Sequence, residues 1–293
     1  MRWTPGGGRS RDIEDRRGQS RGFGMGGGGM RIGLGGALVL LVLSLIFHQD
    51  FFSLLGGGVD TGPAPSADGG AAAPVQSSPE EDKLVQFVSF VLDDDQKMWD
   101  QLLPAAYGVP YQHAKLVLYR DMAQTGCGVG QAATGPFYCP ADNKLYVDLG
   151  FYDELRQRFG APGDFAQAYV LAHELGHHVQ ALLGTDAKVR AATQRNPSQG
   201  NALSVRTELQ ADCYAGVWGH SAAQRNELDP GDLQEGMNAA AAVGDDRLQR
   251  MGTGHVDADS FTHGTSAQRT QWFRRGFDSG DPTSCDTFGS AIE

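Results

Sequence analysis

The stretch that most narrows what this chain can become is Ala172-His173-Glu174-Leu175-Gly176-His177-His178-Val179-Gln180, which closes a run predicted to be helical from Asp164 to Leu183. Residues four apart on a helix lie one above the other, so His173 and His177 can offer two imidazole nitrogens to one metal ion. Glu174, one position on, can reach a water on that ion without ligating it, an arrangement of two ligands and a general base. The competing reading is a half-exposed helix with polar residues at i and i+4. It fits poorly with Tyr169, Val170, Leu171, Leu175, Val179, Leu182 and Leu183, which surround the motif and make the helix largely buried. Burying two histidines and a glutamate without partners would cost several kcal/mol. Gly176 weakens a helix interior by about 1 kcal/mol relative to Ala, which makes sense if another backbone or the metal site comes close there.

Such a site needs a third protein ligand. A second apolar-periodic helix contains Arg206-Thr207-Glu208-Leu209-Gln210-Ala211-Asp212-Cys213-Tyr214-Ala215-Gly216-Val217-Trp218, with Glu208 and Asp212 again four apart on one face. Glu208 is the expected carboxylate ligand, and Asp212 is expected to hydrogen-bond a ligating His and fix its tautomer. A merely solvated acidic face would carry charge on its other flank, where Leu209, Ala211, Val217 and Trp218 stand instead. The two helices together resemble the gluzincin class of zinc peptidases. Their wider wording resembles a bacterial family of neutral zinc metallopeptidases, over the chain from about Pro79 onward. That resemblance implies a membrane-attached enzyme with one Zn2+ per chain.

The first 31 residues carry glycine runs and scattered arginines, too few apolar groups to offset the entropy of ordering. Seven arginines against three acidic residues put this stretch at +4 and leave the rest of the chain, of total −11, at −15. Residues 1–31 are therefore expected to be a disordered basic tail. Ile32 to Phe47 is apolar or small without a charge, and Phe51, Phe52, Leu54 and Leu55 extend it toward the ~20 residues that span a bilayer. The expectation is a signal anchor over 32–55, a single transmembrane helix with the Arg-rich N-terminus cytoplasmic and the remainder extracytoplasmic. The alternatives are a cleaved signal peptide and, less consistent with two disordered flanks, a buried core helix. Residues 56–78, rich in Gly, Ala, Pro and Ser, read as a linker.

The folded domain, 79–293, begins with Ser78 as N-cap, Pro79 at the first helical position and Glu81 three on. That helix is expected to stop before Pro104. Strands are predicted at Lys115–Tyr119 and Lys144–Asp148, and the family resemblance implies that Leu145 to Leu149 borders the cleft and pairs with extended substrate. A single helix is predicted from Gly231 to Met251, and a last one capped at Thr265 or Ser266. The fold class is α+β, a mostly helical zincin-like domain with a small antiparallel sheet, preceded by the transmembrane helix.

His263 has two readings of equal weight. In other gluzincins a late His or Tyr donates to the oxyanion, and His263-Gly-Thr-x-x-x-Arg269 could fill that place; otherwise it is a loop His satisfied by backbone groups. His178, His220 and His255 are expected to be structural or surface residues. Four cysteines, none spaced as a zinc pair, suggest two disulfides beyond a membrane. Cys127 with Cys139 is the natural pair, leaving Cys213 with Cys285, though three connectivities are open. The acidic domain repels phosphate backbones and argues against nucleic acid as a partner.

The function expected is hydrolysis of peptide bonds in a protein or peptide substrate. His173, His177 and Glu208 would hold the zinc, with Glu174 as general base. The alternative is a non-catalytic, membrane-tethered zinc module that binds another envelope protein. Structural zinc sites usually close with four protein ligands, and such a site has no use for Glu174.

Overall fold

The computed structural model describes residues 1–4, 8–19, 75–131 and 135–292. Ser78 accepts the Glu81 N–H at 3.1 Å and Pro79 opens helix α1 (Pro79–Tyr107). The helix runs through Pro104 and not up to it: the proline forfeits the one bond its N–H would give to the Asp100 carbonyl, the helix continues for one more turn, and Gly108 closes the end in the left-handed conformation. Val88, Val91, Leu92, Trp99 and Leu103 form its buried face, each contributing on the order of 1.5–3 kcal/mol when removed from water.

Beside α1 lies a sheet of four strands in the order β1 (Ile13–Asp15), β2 (Lys115–Tyr119), β6 (Lys144–Asp148), β5 (Phe137–Cys139). The first two pairings are parallel and the last antiparallel, so the sheet is mixed and not the antiparallel one expected. Alternation decides its two faces. Leu116, Leu118, Leu145 and Val147 pack into the main core, while Val117, Tyr119 and Tyr146 form a smaller cluster with Ala123 and Cys139. A separate hairpin, β3 (Met122–Thr125) and β4 (Gly128–Gln131), contributes Ala123 to that second cluster. The Cys127–Cys139 disulfide ties the hairpin to β5.

The N-terminal residues correct the expected topology. Far from forming a detached tail, β1 joins the domain's own sheet, with Ile13 opposite Leu116. The Met1 ammonium lies 2.6 Å from Asp164 and 3.3 Å from Asp232, and Trp3 packs on Phe87 with ring centroids 5.3 Å apart. Residues on both sides of 32–55 thus belong to one folded body. A single crossing there would put them on opposite sides of a bilayer, so the single-pass arrangement with a cytoplasmic N-terminus and an extracytoplasmic domain does not hold. Among the described residues no helix is long and apolar enough to cross a membrane. The apolar run 32–55 itself lies outside the described residues, as does most of the linker.

Among the described residues the remaining α-helices are α2 (Phe151–Gln157), α3 (Asp164–Leu182), α4 (Thr185–Arg195), α5 (Gly200–Gln224), α6 (Asp232–Ala242), α7 (Asp245–Gly252) and α8 (Ser266–Ser279). Two close approaches set the geometry of α3, α5 and α8. A Cβ on Gly176 would stand 3.0 Å from the Ala211 backbone, which brings α5 against the motif helix. Gly216 and Gly276 do the same for α5 and α8, where added Cβ atoms would overlap the carbonyl oxygens of Phe273 and Cys213. Thr265 caps α8 in a capping box with Gln268. The single helix expected over Gly231–Met251 is two, broken at Val243–Gly244. The break lets the Asp245 N–H bond the Gly264 carbonyl at 2.8 Å and frees the Asp245 side chain to accept from the N–H groups of Thr262, His263 and Gly264. The second disulfide, Cys213–Cys285, staples the C-terminal segment to α5. Both pairings follow from the fold and carry no topology with them.

One core residue predicts its own pH dependence. Asp95 on α1 is fully buried, and among the described residues neither oxygen has a hydrogen bond of ordinary geometry. Burial, reinforced by Asp94, raises its pKa well above the usual carboxylate value. The native state therefore keeps a proton that the unfolded chain has released, so stability is highest below the unfolded pKa and falls as pH rises, by up to about 1.4 kcal/mol per pH unit. Asp95→Asn is expected to be more stable than wild type at pH 7, with a gap in melting temperature that widens from pH 4 to 8. A gap that stays constant or narrows would refute a protonated Asp95.

Candidate active site

Helix α3 carries Tyr169, His173, His177 and Gln180 along one stripe, and α5 sets Glu208 and Asp212 against it. The His173 Nε2 is 3.1 Å from Glu208 Oε2 and the His177 Nε2 is 3.5 Å from Glu208 Oε1. One ligand atom from each of the three residues lies within 4.8 Å of the others. The Nδ1 atoms point away from this focus, His173 Nδ1 to Asp212 Oδ1 at 3.0 Å and His177 Nδ1 to Gln180 Oε1 at 2.9 Å. Two imidazoles that donate from Nδ1 present lone pairs at Nε2, and with one carboxylate they form an N2O set suited to zinc. The residues present fit the ion.

Asp212, fully buried, is held from three sides. Its Oδ1 accepts from the Tyr169 hydroxyl at 2.5 Å, and Arg269 on α8 grips both oxygens, Nε to Oδ2 at 2.8 Å and Nη2 to Oδ1 at 2.9 Å. Burial opposes its ionisation, but Arg269 and the hydrogen bond from His173 keep its carboxyl below the usual range. Burial likewise opposes the charge on Glu208, yet His177, the His173 hydrogen bond and His263 hold it well below. For His173, burial disfavours the cation and is outweighed by the hydrogen bonds to Asp212 and Glu208, which raise it to about 9. His177 is lowered by burial.

Glu174 lies close enough to His173 and Glu208 to feel both charges but makes none of these pairings. It is 8% exposed. Burial raises it to about 7, opposed by His173 and, more weakly, by the backbone N–H of Tyr138 on β5. A carboxylate at that value exchanges protons near neutrality, as a general base must.

His263 stands at the rim, its side chain 49% exposed. Its Nδ1 is 3.2 Å from Asp245 Oδ1 and 3.0 Å from the Thr262 hydroxyl. Partial burial opposes its charge, while Asp245 and Glu208 raise its pKa. His178 is a core residue that spans two elements, with Nε2 2.6 Å from the Gln112 carbonyl and Nδ1 3.0 Å from the Tyr138 hydroxyl. The strand bordering the site is also not the expected one. Strand β6 pairs on both sides, whereas β5 is the outer strand of the sheet next to α3 among the described residues, so Phe137–Cys139, and not Leu145–Leu149, lies at the edge.

Reading the sequence missed Gln180, Asp245 and the grip of Arg269 on Asp212. Gln180 had a local signal, being three residues past His177 on the same face; the other two are set only by how α7 and α8 pack.

A family model described as "Putative neutral zinc metallopeptidase" matches residues 1–288. Among curated proteins, the uncharacterized protein YpfJ of Escherichia coli K12 is 51% identical over 295 residues, covering 100% of both chains. The uncharacterized protein Rv2575 of Mycobacterium tuberculosis is 43% identical over 205 residues, 66% of this chain and 67% of that one. No solved structure matches.

Proposed function

Because the chain belongs to this family of neutral zinc metallopeptidases, we propose that it is a zinc-dependent endopeptidase acting on protein or peptide substrates. The observation that carries the reading is the convergence of His173, His177 and Glu208 on one point beside a buried Glu174 that pairs with none of them. One zinc per chain, bound by those three residues, would supply a Lewis acid for the scissile carbonyl and for water.

The chain's own groups do the rest. The Glu174 carboxylate takes the proton of the attacking water and delivers it to the departing amine nitrogen, so the base of the first step is the acid of the second. As an imidazolium, which Asp245 and Glu208 favour, His263 gives its Nδ1–H to Asp245 and has a second N–H, at Nε2, to donate to the carbonyl oxygen as negative charge develops there. Asp212 keeps His173 in the Nδ1–H tautomer, and Arg269 keeps Asp212 ionised and in place. The outer edge of β5 is where an extended peptide would pair, taking over the Tyr138 N–H that otherwise faces Glu174. It runs beside the motif helix, so a peptide added there would pass the Glu174 carboxylate.

Metal analysis of the full chain, with parallel digestion of a mixture of denatured proteins, tests the reading. Wild type is expected to hold about one zinc and to cleave, whereas Glu208→Ala, with one of three protein ligands gone, is expected to lose most of its zinc and its activity together. Full zinc occupancy in Glu208→Ala would remove Glu208 from the ligand set. Wild type without zinc would end the proposal.

A further inference from the structure

The two histidines are oriented by different means. His173 leans on a carboxylate, whereas His177 meets a neutral amide whose direction can be deduced. Gln180 Nε2 lies 2.7 Å from the Thr207 carbonyl and 3.1 Å from Gln210 Oε1, and Gln210 Nε2 lies 3.0 Å from the Cys285 carbonyl. A backbone carbonyl can only accept. The amide nitrogens must therefore face Thr207 and Cys285, and the Gln180 oxygen must face His177 Nδ1. Turning the Gln180 amide over would set two acceptor oxygens 2.7 Å apart. An oxygen opposite Nδ1 requires a proton on Nδ1 and leaves the lone pair on Nε2, the atom that faces Glu208. Gln180 and Cys285 are fully buried and Gln210 is 7% exposed, so bulk water is poorly placed to stand in for any link. Cys285 is itself fixed by its disulfide to Cys213, on the same helix as Gln210 and Glu208.

We propose that Gln180 and Gln210 are positioning residues that lock His177 in its metal-binding tautomer, and that the Cys213–Cys285 disulfide anchors the far end of this relay. The inference rests on the reading of His173, His177 and Glu208 as ligands. It makes zinc affinity depend on a hydrogen-bond chain that ends in the C-terminal segment, remote from the three ligands in sequence.

The test measures zinc affinity of the full chain by chelator competition, together with melting temperature. Gln180→Met, similar in volume but without an acceptor for Nδ1–H, is expected to weaken zinc binding by about 10–100-fold. Gln210→Met leaves the Gln180 oxygen on Nδ1 and should lose less, and the double variant should lose no more than Gln180→Met alone, because both act through one path. Cys213→Ala with Cys285→Ala should match Gln210→Met, and should add nothing in the Gln180→Met background. Leu203→Ala, a buried change on α5 outside the relay, controls for general loosening and should lower the melting temperature with zinc affinity kept. Zinc affinity of Gln180→Met within about twofold of wild type, or losses that add across the relay, would overturn the proposal. So would an equal loss in Leu203→Ala. Tight wild-type binding with an unaffected Gln180→Met sinks the relay alone; wild type that binds no zinc sinks the ligand reading and the relay with it.

Discussion

Glu174→Gln is expected to keep the zinc content of wild type and to lose about 10²–10⁴-fold in turnover, the usual contribution of a general base. The substitution preserves shape and removes only the ability to take a proton. Glu174 makes no pairing that holds His173, His177 or Glu208 in place, so the ligand set should survive. The predicted direction with pH is also fixed. Burial raises Glu174 to about 7, and the active form of a base is the deprotonated one, so wild-type turnover falls as pH drops through that range. A cation held by the neighbouring ligands favours the carboxylate and moves this limb to lower pH. The Glu174→Gln residual rate should lack the limb altogether. Turnover within tenfold of wild type at full zinc would show that some other group accepts the proton.

The juxtaposition of His173, His177, Glu208 and Asp212 could be read in advance because it depends on two local periodicities. Each pair is four apart on a helix, and Gly176 marked a place where another backbone or the metal site would come close. Its partner there, the Ala211 backbone, lies between Glu208 and Asp212, next to Asp212. What escaped was non-local. Strand β1 is three residues in an Arg- and Gly-rich stretch with no pattern of its own, and only its pairing with Leu116–Leu118 makes it a strand. From that followed the error in topology. The apolarity of Ile32–Phe47 is a property of those residues, but which side each flank occupies depends on whether the flanks fold together, and they do. The split between α6 and α7 escaped for a related reason. Its helical pattern continues across Gly244, and the break is imposed by the segment Thr262 to Gly264, 17 to 19 residues beyond Asp245, whose N–H groups Asp245 collects.

The largest loss of stability is expected from Arg269→Met. Arg269 is 3% exposed and Asp212 is fully buried, so the guanidinium is the counter-charge of a carboxylate that water does not reach. Deleting one partner of a buried pair leaves an uncompensated charge and costs about 3–5 kcal/mol, a large part of the roughly 5–15 kcal/mol that holds a domain together. Two further measurements separate this cause from lost packing. The first is the double variant Arg269→Met with Asp212→Asn. With the orphaned charge removed, it should be more stable than Arg269→Met alone, although it carries one more substitution at the site. The second is pH. In wild type the Asp212 pKa is depressed, so its contribution is present above the unfolded value and lost as pH falls through the folded one. Without Arg269, burial would raise that pKa, and protonation at acid pH would relieve the strain. The stability gap between wild type and Arg269→Met should therefore narrow as pH is lowered from 7 toward 4. Zinc should follow the same order, because a protonated Asp212 is a poorer acceptor for His173 Nδ1–H: wild type tightest, Arg269→Lys intermediate through its retained charge, Arg269→Met weakest. A double variant less stable than the single, or a gap that does not change with pH, would mean that Arg269 serves the fold by volume alone and that Asp212 orients His173 without it.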